Sequence, residues 1–141
     1  MIKTKDKSIL IIEDEIAYLD LLKYSLEKEG FFVNAVTNGN DVQKSVEKSI
    51  PDLVLLDMML PGKSGFEIIK LLQAEEYKEI PVLVTTGKYT DEYYLSVINN
   101  EPNIKGFFTK PFSINYLLNK IYSILETIST GEKNQENNQK R

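Results

Sequence analysis

Three carboxylic acids in this chain stand where buried strands would end. Glu13 and Asp14 directly follow the apolar run Ser8-Ile9-Leu10-Ile11-Ile12, and Asp57 directly follows Leu53-Val54-Leu55-Leu56. Thr86 follows a further run, Ile80 to Val84, and Lys110 follows Gly106 to Thr109. If the strands bring the acids together, their charges repel. Two like charges about 4 Å apart cost about 4 kcal/mol at an effective dielectric of ~20. Protonation or a divalent cation can offset that. The chain has no histidine and no cysteine, so a bound metal must be a hard, oxygen-liganded ion. Mg²⁺ suits such a site, because it needs only one or two carboxylates plus water and phosphate oxygens. The Thr86 hydroxyl can donate to a phosphoryl oxygen. The Lys110 ammonium can pair with a carboxylate at rest or a phosphoryl group after transfer. A carboxylate nucleophile, a cation and positioned donors together suit phosphoryl transfer.

The elements that must position these groups alternate along the chain. Ile16 to Glu29 reads as a helix with Leu19, Leu22 and Leu26 on one stripe, stopped by Gly30. Phe31 to Val36 reads as a strand, Asn38-Gly39-Asn40 as a turn and Asp41 to Lys48 as a short helix. A third helix opens at Ser64 or Gly65 and carries Phe66, Ile69 and Leu72. Thr90 is placed to cap a fourth helix, to about Asn99, bearing Tyr93, Tyr94, Leu95, Val97 and Ile98. That is more apolar surface than one buried stripe requires, which fits either a deeply packed helix or a partner face. Ser113 caps a last helix whose stripe is Ile114, Leu118, Ile121, Leu125 and Ile128. Residues 1–128 form one expected domain. Residues 129–141 have too few apolar side chains to offset the entropy of ordering and are expected to be a disordered polar tail or linker.

Strongly apolar strands alternating with amphipathic helices imply a parallel sheet covered on both faces. Right-handed crossovers then give a doubly wound, five-stranded α/β sandwich of three layers, with order 2-1-3-4-5. Ligands of such folds bind outside the carboxyl ends of the strands, where all five candidate residues fall.

Composition narrows the function classes. A net charge of −4 argues against a nucleic-acid surface. No apolar run is long enough to span a membrane. The charged N-terminus is unlike a signal peptide, and the absence of cysteine removes disulfides and thiolate zinc sites. The expected setting is the cytoplasm.

Four segments carry a resemblance to the receiver domains of two-component response regulators, the chemotaxis-regulator type included. They are Ile9-Leu10-Ile11-Ile12-Glu13-Asp14-Glu15, Leu56-Asp57-Met58-Met59-Leu60-Pro61-Gly62-Lys63-Ser64-Gly65, Pro81-Val82-Leu83-Val84-Thr85-Thr86-Gly87 and Phe107-Phe108-Thr109-Lys110-Pro111-Phe112. The resemblance runs from about Lys7 to Ile128 and implies a flavodoxin-like fold. It implies that Asp57 is the phosphoacceptor, and that Glu13, Asp14, Asp57 and the backbone carbonyl of Met59 hold Mg²⁺. It makes Thr86 the hydroxyl switch, Lys110 the phosphoryl contact and Phe107 the aromatic switch, with the Lys110-Pro111 bond cis. It implies a histidine kinase or histidine phosphotransfer protein as donor. A downstream protein or a second copy would read the face formed by the fourth helix, the fifth strand and the last helix. The sequence departs from the family pattern in places. Glu13 stands where aspartate is commoner, Gly87 replaces the usual alanine and Phe107 replaces a frequent tyrosine. Met59 and Lys88 flank the site, where they could alter water access. Such a chain would be a signalling module acting on its own phosphorylation state, not a metabolic enzyme.

Rival readings are a phosphate-independent adaptor, a phosphatase of the haloacid-dehalogenase type and a flavodoxin-like cofactor binder. The intact set of acids, Thr86 and Lys110 argues against the adaptor. Glu13, where the phosphatase needs an aspartate nucleophile, argues against the second. Acids after the first strand would repel a flavin phosphate, which argues against the third.

Overall fold

The computed structural model describes residues 2–87, 96 and 100–139, with side chains to residue 128 in the last helix. Five strands, β1 (Ser8–Ile12), β2 (Phe32–Val36), β3 (Leu53–Asp57), β4 (Val82–Thr86) and β5 (Ile104–Thr109), form one sheet in the order β2-β1-β3-β4-β5. Every pairing is parallel. The described helices are α1 (Ile16–Lys28), α2 (Val42–Lys48), α3 (Gly65–Leu71) and α4 (Ile114–Gln139). The expected helix from Thr90 to Asn99, with Tyr93, Tyr94, Leu95, Val97 and Ile98, lies outside the described residues apart from Ser96.

Side chains alternate across the sheet, and each face finds its own helices. Ile9, Ile11, Leu53 and Leu55 join Leu22 and Leu26 of α1 and Leu117, Ile121 and Leu125 of α4 in one core. Leu10, Ile12, Val54, Leu56 and Val84 join Val42 and Val46 of α2 and Ile68, Ile69 and Leu72 in and after α3 in the other. This is why β1 and β3 are apolar at every position but one.

Register delivers the strand ends to one edge. Ile12 pairs with Leu56, so Glu13 and Asp57 each follow the last matched pair of β1 and β3. Asp57 pairs with Thr85 and Thr86 with Thr109, which puts Lys110 one residue past the end of β5. Between Val82 and Leu83 the β4–β5 register slips, and Gly106 faces Leu83. A Cβ at Gly106 would come within 2.9 Å of the Leu83 Cδ2 and 3.1 Å of the Lys120 Cε, so a larger residue there would displace the ends of both side chains.

Local signals hold the ends in place. The Ser64 hydroxyl accepts from the Glu67 amide to cap α3, and the Ser113 hydroxyl accepts from the Tyr116 amide to cap α4. Gly62 takes φ +79 in the turn after β3, a conformation open to glycine at little cost. The Lys110-Pro111 peptide bond is cis, as the family resemblance implies.

Several expectations shift. Phe66 is exposed, and Ile68 takes the buried position in α3. In α4 the buried stripe runs through Leu117, Ile121 and Leu125, with Leu118 half-buried beside it and Ile128 exposed. The helical backbone continues past Ile128 to Gln139, where composition pointed to a disordered tail. Leu117→Ala is expected to cost about 2–5 kcal/mol, and Leu118→Ala less than half as much. Urea denaturation of both variants checks this.

Candidate functional site

The site is built where three loops leave the sheet. Glu13 follows β1 with its amide still bonded to the Val36 carbonyl (3.0 Å), so its position is held by β2 as well. Asp57 is the last residue of β3, and its neighbour Met58 donates to the Thr85 carbonyl (3.0 Å). Lys110 donates its amide to the Thr86 carbonyl (2.7 Å), which ties the β5 end to β4.

The side chains then meet. Glu13, Asp14 and Asp57 each offer a carboxylate oxygen within 4.8 Å of the others. Glu13 and Asp57 are buried, and Asp14 is exposed at the mouth. The Lys110 ammonium donates to the Glu13 Oε1 in a short hydrogen bond. It also lies 3.4 Å from the Asp57 Oδ2 and 3.7 Å from the Glu15 Oε2. The second Asp57 oxygen, Oδ1, accepts from the Met59 amide at 2.9 Å. Beneath the ammonium lies the ring of Tyr18, its centroid 4.4 Å from Nζ.

The electrostatics record the crowding. Burial, then the hydrogen-bonded Asp57 carboxyl, push the Glu13 pKa from 4.5 up to about 7, with Lys110 pulling the other way. Burial alone would lower Lys110. Its hydrogen bond to Glu13 and the charges of Asp57 and Glu13 outweigh that, so it is raised and stays charged. Burial lifts Tyr18 to about 12, so its ring is neutral. Three clustered acids face one lysine, and all the donors are oxygens. The cluster could therefore hold a hard metal ion.

Thr86 is fully buried behind this edge. Phe107 is half-buried against the core that contains Val84, its register partner. Met59 is exposed beside Asp57, and Lys88 lies outside the described residues. All five residues at the expected strand ends thus reach one edge. Two were missed. Glu15, an exposed acid just before α1, comes within ion-pair reach of Lys110. Tyr18 had no local signal, since its position beside the leucine stripe of α1 reads as ordinary packing.

A parallel 2-1-3-4-5 sheet with acids, a threonine and a lysine converging at its carboxyl edge defines the receiver class. Comparison with known proteins bears this out. The chain belongs to the response regulator receiver domain family, whose profile matches residues 9–122. It is 35% identical over 120 residues to the alkaline phosphatase synthesis transcriptional regulatory protein PhoP of Bacillus subtilis, covering 85% of this chain and 49% of that protein. It is 37% identical over 118 residues to the sensory transduction protein RegX3 of Mycolicibacterium smegmatis, covering 84% and 50%. The chain spans about half the length of these curated relatives. A CheY-like response regulator receiver domain protein from Methanospirillum hungatei superposes with a TM-score of 0.81 at 26% identity, covering 89% of this chain and 98% of that one. The function is accordingly that of a phosphoacceptor module in two-component signal transduction.

Glu13 makes stability depend on pH. An acid whose folded pKa is raised contributes stability below its unfolded value, and loses it as pH rises through the folded one. Without divalent cation, wild type is expected to lose stability relative to Glu13→Gln as pH rises from about 4.5 to about 7. Saturating Mg²⁺ is expected to reverse the loss. Calorimetry of both proteins across that window measures it.

Proposed function

We propose that Asp57 is the phosphoacceptor and that Glu13, Asp14, Asp57 and the Met59 carbonyl hold Mg²⁺ beside it. The observation carrying this reading is the convergence of three carboxylates within 4.8 Å, two of them, Glu13 and Asp57, bridged by the half-buried Lys110. The Asp57 carboxylate attacks the phosphorus of a phosphohistidine. The new O–P bond forms as the P–N bond breaks, and the histidine nitrogen leaves with its electron pair. The cation supplies charge neutralisation for the phosphoryl oxygens. Lys110, already 3.4 Å from Asp57, pairs with one of those oxygens. The Thr86 hydroxyl donates to another, and Phe107 turns into the space this opens.

A histidine kinase or a histidine phosphotransfer protein is the donor. The reader is a downstream protein or a second copy of this chain, bound at a face that includes β5 and α4. Net charge gives no reason to expect nucleic acid at this domain. No described helix is long and apolar enough to cross a membrane, and we place the module in the cytoplasm. Residues 1–128 form the signalling unit, with 129–141 leading away as a polar linker. The chain catalyses its own phosphorylation and dephosphorylation.

Incubation with acetyl phosphate and Mg²⁺ is expected to add about 80 Da, the mass of one phosphoryl group. The gain should need Mg²⁺ and vanish in Asp57→Asn. A folded protein that gains no mass and binds no beryllofluoride would instead favour the phosphate-independent adaptor. Exposed Met59 shields the acyl phosphate from water, so Met59→Asn is expected to shorten the phosphoryl half-life severalfold. Timed intact-mass measurement reads this, and an equal or longer half-life overturns the shielding role.

A further inference from the structure

We propose that the ring of Tyr18 is a positioning element for Lys110: it carries the ammonium between the resting carboxylates and a phosphoryl group, and so tunes the affinity of the site for a phosphoryl-like anion. The inference rests on the phosphoacceptor reading above and adds a residue to it.

At rest Lys110 is held most closely by Glu13, with Asp57 and Glu15 farther off at 3.4 and 3.7 Å. To serve a phosphoryl group on Asp57 it must move away from Glu13. Its side chain is only 14% exposed, so little water is at hand to support the charge during that move. The face of Tyr18, 4.4 Å away, can. A ring quadrupole attracts a cation without a directional hydrogen bond, so as the ammonium gives up its bond to Glu13 the ring carries a larger share of its support, more in the anion-bound state than at rest. The Tyr18 hydroxyl is buried yet finds no hydrogen-bond partner among the described residues. Burying an unpaired hydroxyl is unfavourable, so it is the ring, not the hydroxyl, that contributes here. The ring is itself braced edge-on by Phe112, with centroids 5.8 Å apart and planes at 88°. Phe112 belongs to the loop that carries Lys110, so the platform is anchored to that loop while the ammonium remains free to shift over it.

The test titrates beryllofluoride into wild type, Tyr18→Phe and Tyr18→Leu at saturating Mg²⁺, titrates Mg²⁺ separately, and records the Lys110 ε-methylene proton shifts. Tyr18→Leu is expected to weaken beryllofluoride binding about five-fold, the scale of one cation–π contact, with Mg²⁺ affinity unchanged. The ε-methylene protons should be shifted upfield by the ring in wild type and Tyr18→Phe, and not in Tyr18→Leu. Tyr18→Phe should bind beryllofluoride within about two-fold of wild type. The proposal is overturned if Tyr18→Leu binds beryllofluoride as wild type does, if Tyr18→Phe falls as far as Tyr18→Leu, or if Mg²⁺ affinity falls in parallel. Should Tyr18→Leu not fold, the upfield shift in wild type decides, and its absence overturns the proposal. Failure of wild type itself to bind beryllofluoride would instead reject the phosphoacceptor reading, and this inference with it.

Discussion

Repulsion among Glu13, Asp14 and Asp57 is the constraint around which this domain is organised. Their carboxylates sit within 4.8 Å, and two of the three are buried. In water such acids would separate. Here each is attached to the end of a strand whose other residues are packed on both faces, so the backbone cannot yield. The charge must be met where it stands. Lys110 meets part of it through Glu13 and Asp57, and the Met59 amide meets more through the second Asp57 oxygen. Burial, with the hydrogen-bonded Asp57 carboxyl, keeps Glu13 a weak acid, and the oxygen-lined cluster is suited to a hard cation.

The apolar sheet makes this arrangement possible. Burying Ile9 to Ile12 and Leu53 to Leu56 on both faces supplies the favourable free energy that holds the ladder in register. Because the strands are parallel, all the chain exits that matter lie on one edge. The same register sets the order of the groups: acids after β1 and β3, a hydroxyl at the end of β4, a lysine after β5. A poised site stores its function in this imbalance. Lys110, shared between Glu13 and Asp57, lies over the ring of Tyr18.

The sheet was legible because its signal is local and strong. Short β-branched runs and amphipathic helices in strict alternation admit few topologies once crossovers must be right-handed. Helix detail was less legible. Phe66 read as core because it is large and apolar, yet the cap at Ser64 sets a helical phase that leaves it exposed and buries Ile68 beside the expected Ile69 and Leu72. In α4, Leu117 and Leu118 are adjacent and equally apolar. The crossing of the helix over the sheet, not their composition, chose Leu117.

The site divides in the same way. Asp57, Glu13, Asp14, Thr86 and Lys110 could be named from sequence because each closes or directly follows an apolar run, and a parallel sheet sends all such ends to one edge. Their types, with no histidine or cysteine in the chain, restricted the chemistry to oxygen ligands and a carboxylate nucleophile. Only the tertiary structure decided how the charges are shared. Glu13 and Lys110 stand 97 residues apart, and their pairing follows from strand order, not from spacing. Glu15 and Tyr18 join the site only because the fold brings the start of α1 beside the β5 end. Periodicity tells which side of a helix is apolar. It does not tell what that side, or its margin, will meet.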